Sequence, residues 1–187
     1  MATQYPIRNK VSESSLLTID LSEWFPDETI VDFDLQAWLT QGIMLQEKPF
    51  RQAADAHDWS QYEGKRVAVF CSVDAILPYW AFMLVASKLE PYAKDIYQGT
   101  SEALLNDWYR RALADLNPED YTDRRIVVKG CGDKPIPAGA YVELVRKLQP
   151  AVKTIMYGEP CSTVPVYKKS RRSQPIPQDK PANTPTS

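Results

Sequence analysis

From about residue 63 to residue 167 the chain alternates short β-branched runs with stretches of helical period. That alternation limits the folds open to it more than any other feature. The extended runs are 66–71, 95–97, 125–129 and 152–157. Between them lie a helical pattern over 76–89, a second carrying Leu104, Leu105, Trp108, Ala112 and Leu116 after a Thr100 or Ser101 cap, and a third over 137–148. Strands separated by helices of this length need crossover connections. The expected fold is therefore α/β, three-layered, with a mainly parallel sheet. The runs are short and mainly apolar, as strands covered on both faces are. The 76–89 helix is apolar nearly all round, through Tyr79, Trp80, Phe82, Met83, Leu84 and Val85. It should be deeply buried or packed against another subunit of a homo-oligomer.

Residues 1–62 read as N-terminal additions to this 63–167 core, and 1–167 as one domain. Strand patterns occur at 16–21 and 29–34, a helix pattern at 50–58, and 35–45 fits either. These segments should add edge strands or a cap to the same sheet. No internal repeat stands out. Residues 168–187 hold Pro175, Pro177, Pro181 and Pro185 with almost nothing apolar, so they read as a disordered tail. The tail carries Lys168, Lys169, Arg171, Arg172 and Lys180 against Asp179, while the whole chain has a net charge of -2. The body is thus acidic, which argues against nucleic acid as its partner. No apolar run approaches the roughly 20 residues that span a bilayer, so no membrane role is expected. The first residues lack a basic stretch followed by an apolar one, and there are only three cysteines. Both point to a reducing, cytoplasmic setting.

Each cysteine lies just beyond the end of an expected strand: Cys71 after 67–70, Cys131 after 126–130 and Cys161 after 155–160. Ligands of open parallel sheets bind in crevices outside the carboxyl ends of the strands. Three distant cysteines could therefore converge if their strands are neighbours. Cys131 sits in Gly130-Cys131-Gly132-Asp133 and Cys161 in Gly158-Glu159-Pro160-Cys161-Ser162-Thr163, while Cys71 is followed by Ser72 and Asp74. Thiolates are soft ligands suited to zinc, copper(I) or iron–sulfur clusters. Asp74, Asp133 and His57 are candidates for a fourth ligand or for groups that orient the ligands. Against this, free cysteine is among the most buried residue types, and no CxxC pair is present. Three inert cysteines, or one reactive thiol with Cys161 as nucleophile, fit the spacing as well.

Other chemistries find little support. His57, in Ala56-His57-Asp58-Trp59, is the single histidine, so any cysteine–histidine or serine–histidine pair must use it. A lone histidine before a turn is more often structural. No GxSxG, Walker A or GxGxxG pattern occurs. Whether the chain is an enzyme stays open at this point, and a non-catalytic interaction module, whose acidic body presents a surface while the basic tail tethers an acidic partner, is a further alternative.

Several motifs in order resemble the uncharacterised bacterial domain-of-unknown-function family 2480 over about residues 10–168. They are Leu17-Thr18-Ile19-Asp20-Leu21, His57-Asp58-Trp59-Ser60-Gln61-Tyr62, Cys71-Ser72-Val73-Asp74-Ala75-Ile76, Pro78-Tyr79-Trp80-Ala81, Leu89-Glu90-Pro91-Tyr92-Ala93, Lys129-Gly130-Cys131-Gly132-Asp133 and the run from Met156 through Pro165. The resemblance implies a place beside the sulfur-mobilisation pathway of iron–sulfur cluster assembly, with iron–sulfur assembly proteins as partners. It assigns no chemistry. All three cysteines and His57 fall inside its motifs, which makes them site candidates by resemblance.

Overall fold

The computed structural model of the chain describes residues 16–129, 132–159 and 162–170. Along it come β1 (Leu16–Ile19), β2 (Ile30–Asp34), α1 (Glu47–Ala56), β3 (Arg66–Phe70), α2 (Tyr79–Leu89), β4 (Asp95–Gln98), α3 (Ser101–Ala112), β5 (Arg125–Val128), α4 (Ala138–Leu148), β6 (Thr154–Glu159) and β7 (Ser162–Lys168). The expected α/β architecture of mostly parallel strands is present. The strands divide into two sheets, however, ordered β1-β5-β6-β7 and β2-β3-β4. All pairings are parallel except β6 with β7, which are antiparallel. The N-terminal strands β1 and β2 do lie at sheet edges, one in each sheet. Lys168, expected to begin the tail, instead closes β7.

Two sheets form because the chain contains a repeat that the sequence reading missed. A shift of 59 positions carries Arg66 onto Arg125, Val69 onto Val128, Pro78 onto Pro137, Leu89 onto Leu148, Pro91 onto Pro150 and Ile96 onto Ile155. The same shift carries β3–α2–β4 onto β5–α4–β6 with register conserved, Arg66 facing Asp95 as Arg125 faces Thr154. It reproduces the turns as well. Gly64 and Asp123 both take positive φ, and so do Gly99 and Gly158. The amide of Gly64 bonds the Tyr92 carbonyl at 2.9 Å, as Asp123 bonds Ala151 at 3.0 Å. Phe50 of α1 corresponds to Tyr109 of α3, and Ala54 to Leu113, all fully buried. The first strands complete the match: Ile19-Asp20-Leu21 and Trp24 correspond to Phe33-Asp34-Leu35 and Trp38, each aspartate capping a 3-10 turn. One unit is residues 30–98. It is inserted into the other, which comprises 16–24 and 101–159.

Each unit buries one face of three parallel strands beneath two helices. One core joins Ile19, Tyr109, Ile126, Val128, Leu144 and Ile155. The other joins Phe33, Phe50, Val67, Val69, Val85 and Leu89. Helix α3 links the units. Its Tyr109, and Leu113 at its C-cap, belong to the first core, while Ser101 donates to Asp32 and Arg111 pairs with Asp95 of the other sheet. The guanidinium of Arg66, only 5% exposed, sits at this junction. It donates to Glu28 at 3.0 Å and Asp95 at 2.9 Å and stacks 4.0 Å above the Trp108 ring of α3.

Helix α2 meets its expectation only on its inner side. Ala81, Val85 and Leu89 are fully buried, but Tyr79 is 86% and Met83 70% exposed. The reason is that, among the described residues, the sheet covers the inner side of α2 and no second apolar surface lies over its outer stripe.

Arg66→Ala should cost about 3 kcal/mol in urea denaturation, because it takes the guanidinium from Glu28 and leaves Asp95 to Arg111 alone beside a half-buried indole. Arg125→Ala, at the exposed equivalent position, should change stability by less than about 0.5 kcal/mol.

Candidate functional site

The two units present equivalent strand ends with different chemistry. In the inserted unit, Asp34 ends β2 and accepts from the Gln36 amide at 2.9 Å and the Ser72 amide at 3.0 Å. The Ser72 hydroxyl donates to Gln36 at 2.6 Å. Partial burial works to raise the Asp34 carboxyl, but these bonds from Ser72 and Gln36 outweigh it and hold it below the ordinary carboxylate range. Cys71 is half-buried and free, and packs against the core of this unit. Asp74 and Ile76 face solvent in the loop that leads into α2. This strand end is closed by its own hydrogen bonds.

In the other unit the equivalent carboxylate, Asp20, caps Leu21–Trp24 through Ser22 and forms a 2.8 Å ion pair with Lys129. Lys129 stands where the inserted unit has Phe70. The Lys129 hydrogen bond, with that of Ser22, lowers Asp20 to about 2. The same contact raises Lys129. The pair borders a crevice of about 280 Å³ with Gly132, Lys134, Tyr141 and Tyr157 among its walls. Lys134 lies 5.1 Å over the Phe25 ring, and Tyr141 meets Tyr157 edge-on at 5.7 Å. The crevice lies at the carboxyl ends of β1, β5 and β6, where open parallel sheets bind ligands. Asp20 neutralises Lys129, so the excess positive charge of the crevice lining is that of Lys134, set among aromatic walls.

The residues named from sequence fall in different places. Cys71 leaves a sheet different from the one that precedes Cys131 and Cys161. Cys131 and Cys161 themselves lie outside the described residues. Asp133 is exposed beside the crevice. His57 stands apart, among the rings of Phe33, Trp38, Trp59 and Tyr62. Its Nε2 is 3.1 Å from the Tyr62 hydroxyl and 3.2 Å from the Gln61 amide nitrogen. Those contacts make it part of the inserted unit's aromatic packing. Among the described residues no group of three or more His, Cys, Asp or Glu side chains is placed to hold a metal ion. Asp20, Lys129 and Lys134 were missed as site residues. The one available signal was Lys129, a charge immediately after the apolar stretch 126–128.

A family model described as protein of unknown function (DUF2480) matches residues 5–169. No curated protein and no solved structure matches the chain.

Because the Asp20 carboxyl is lowered in the folded chain, its contribution is complete above the ordinary value of 3.8 and is lost as pH falls toward 2. Asp20→Asn keeps the cap but not the charge. Thermal melts of the wild type should fall more steeply between pH 4 and 2 than those of Asp20→Asn, and parallel curves would show the pair to be energetically silent.

Proposed function

The chain belongs to the DUF2480 family, whose description assigns no activity, and we propose that it is an accessory protein of iron–sulfur or thiolate–metal metabolism with Cys131 and Cys161 as its working thiols. One observation carries the reading. β5 and β6 are adjacent and parallel, Val128 facing Tyr157. The segments bearing Cys131 and Cys161 therefore leave one sheet edge, beside the crevice of Lys129 and Lys134. Cys71, which follows a strand of the other sheet, takes no direct part. Thiolates are the donor class of clusters and of zinc. Two from this chain leave coordination positions for Asp133, an exogenous thiol or a partner protein of cluster assembly. Asp133 would otherwise orient the bound group through hydrogen bonds.

The lysines favour a second reading, in which the crevice takes an anionic substrate and Cys161 acts as nucleophile. Neighbouring ammonium groups stabilise a thiolate and lower its pKa.

Anaerobic purification and reconstitution, followed by iron, zinc and acid-labile sulfide analysis and a visible spectrum, decide between them. Near-stoichiometric metal should be lost in Cys131→Ser and Cys161→Ser and kept in Cys71→Ser. A chain that stays metal-free after reconstitution overturns the first reading. Selective alkylation of Cys161 at neutral pH would then support the second.

A further inference from the structure

The repeat exposes an asymmetry between the units. In one, β6 is covered along its outer edge by the antiparallel strand β7. Val166 of β7 helps to close an apolar groove lined by Val128, Tyr141, Val142, Val145 and Ile155. Shifted by 59 positions, the same groove recurs in the inserted unit as Val69, Phe82, Met83, Ala86, Ile96 and Gln98, with a volume of about 260 Å³. There β4 stands in the place of β6, and among the described residues nothing stands in the place of β7: β4 is the last described strand of its sheet. Edge strands ordinarily carry devices that prevent pairing, such as proline or lysine. β7 has both, in Pro165 and Lys168, whereas β4 reads Asp95-Ile96-Tyr97-Gln98. Beside that open edge, α2 exposes Tyr79, Met83 and Ser87 in one uncharged stripe.

We infer that β4 and α2 form the interface of a symmetric dimer, in which the β4 strands of two copies pair antiparallel and continue the sheet. The occupant follows from charge. The body of the chain is acidic, so two copies can meet closely only where no net charge faces its like. Antiparallel pairing about a two-fold axis between Ile96 and Tyr97 sets Asp95 beside Gln98 of the second copy and Ile96 beside Tyr97. Asp95 is already neutralised within its own chain by Arg66 and Arg111. Such a contact is self-complementary, as two-fold interfaces must be. Four paired residues fall short of the roughly 1,600 Å² that a stable interface buries. The outer stripes of the two α2 helices must therefore close over the junction and shield both grooves.

Light scattering with size-exclusion chromatography on the full chain tests this. The wild type should run at twice 21.3 kDa. Met83→Glu, a change at a site 70% exposed, should halve the mass and leave the far-UV circular dichroism unchanged. Val142→Glu, the equivalent change on α4, should leave the dimer intact. A monomeric wild type overturns the inference, and so does a dimer that survives Met83→Glu. If a monomer shows slow amide exchange in β4 that is lost on deleting residues 171–187, the chain's own tail covers the edge instead.

Discussion

Arg66 is the one charged side chain buried among the described residues, and the relation between the two units depends on it. Removing a guanidinium from water is costly, so it persists only where its donors and its flat face are all used. Glu28 and Asp95 take the donors, and the Trp108 ring takes the face. Asp95 then accepts from Arg111, one turn beyond Trp108 on α3. The cluster ties the starts of β3 and β4 to the helix that packs the other sheet. Arg125, its counterpart in the repeat, is exposed and has no such task. The two copies have thus diverged most where one had to be joined to the other.

The same frame carries different chemistry at its two strand ends. Asp20 and Asp34 cap equivalent turns. Asp34 is closed over by Ser72 and Gln36, whereas Asp20 meets a lysine at the mouth of a crevice. In the cores, Tyr109 stands where the inserted unit has Phe50. Its hydroxyl donates to the buried Leu21 carbonyl at 2.8 Å, and burial pushes the phenol up to about 12. One unit has a strand end whose polar groups satisfy one another, while the other presents an ion pair at the mouth of a crevice. That division is why the proposed thiol chemistry is assigned to the β5–β6 edge and the proposed contact between copies to the inserted unit.

Period and capping made most elements legible in the sequence. The run 66–71 became β3, ending one residue early, and 137–148 became α4, starting after Pro137. Thr100 caps α3 as its position implied, with the Ala103 amide bonding its hydroxyl at 3.3 Å. α3 then stops at Ala112, four residues short of Leu116. The stretch 35–45 was ambiguous because it is neither helix nor strand: a 3-10 turn, Leu35–Trp38, gives way to a tight turn held by the Thr40–Met44 bridge. β7 was missed because Pro160 and Pro165 disguised it as a loop. An edge strand tolerates a proline that a central strand would not, and being at the edge is a property of the sheet. Gly158, at φ 122, starts that return, and a Cβ there would lie 2.5 Å from the Ser162 carbonyl.

Local signals, carried by side-chain period and caps, are complete within a dozen residues. The sequence by itself therefore determined the α/β class, the positions of nearly every helix and strand, and the placing of each cysteine just past a strand. Strand order is set by which apolar faces can be buried together across the whole chain, and only the tertiary structure decided it. That decision separated Cys71 from the sheet edge that precedes Cys131 and Cys161, and it set Lys129 against Asp20 across more than a hundred residues of sequence. It also revealed the repeat, because the identities kept at the 59-position spacing are scattered and the first strands match at another spacing, whereas backbone register is conserved.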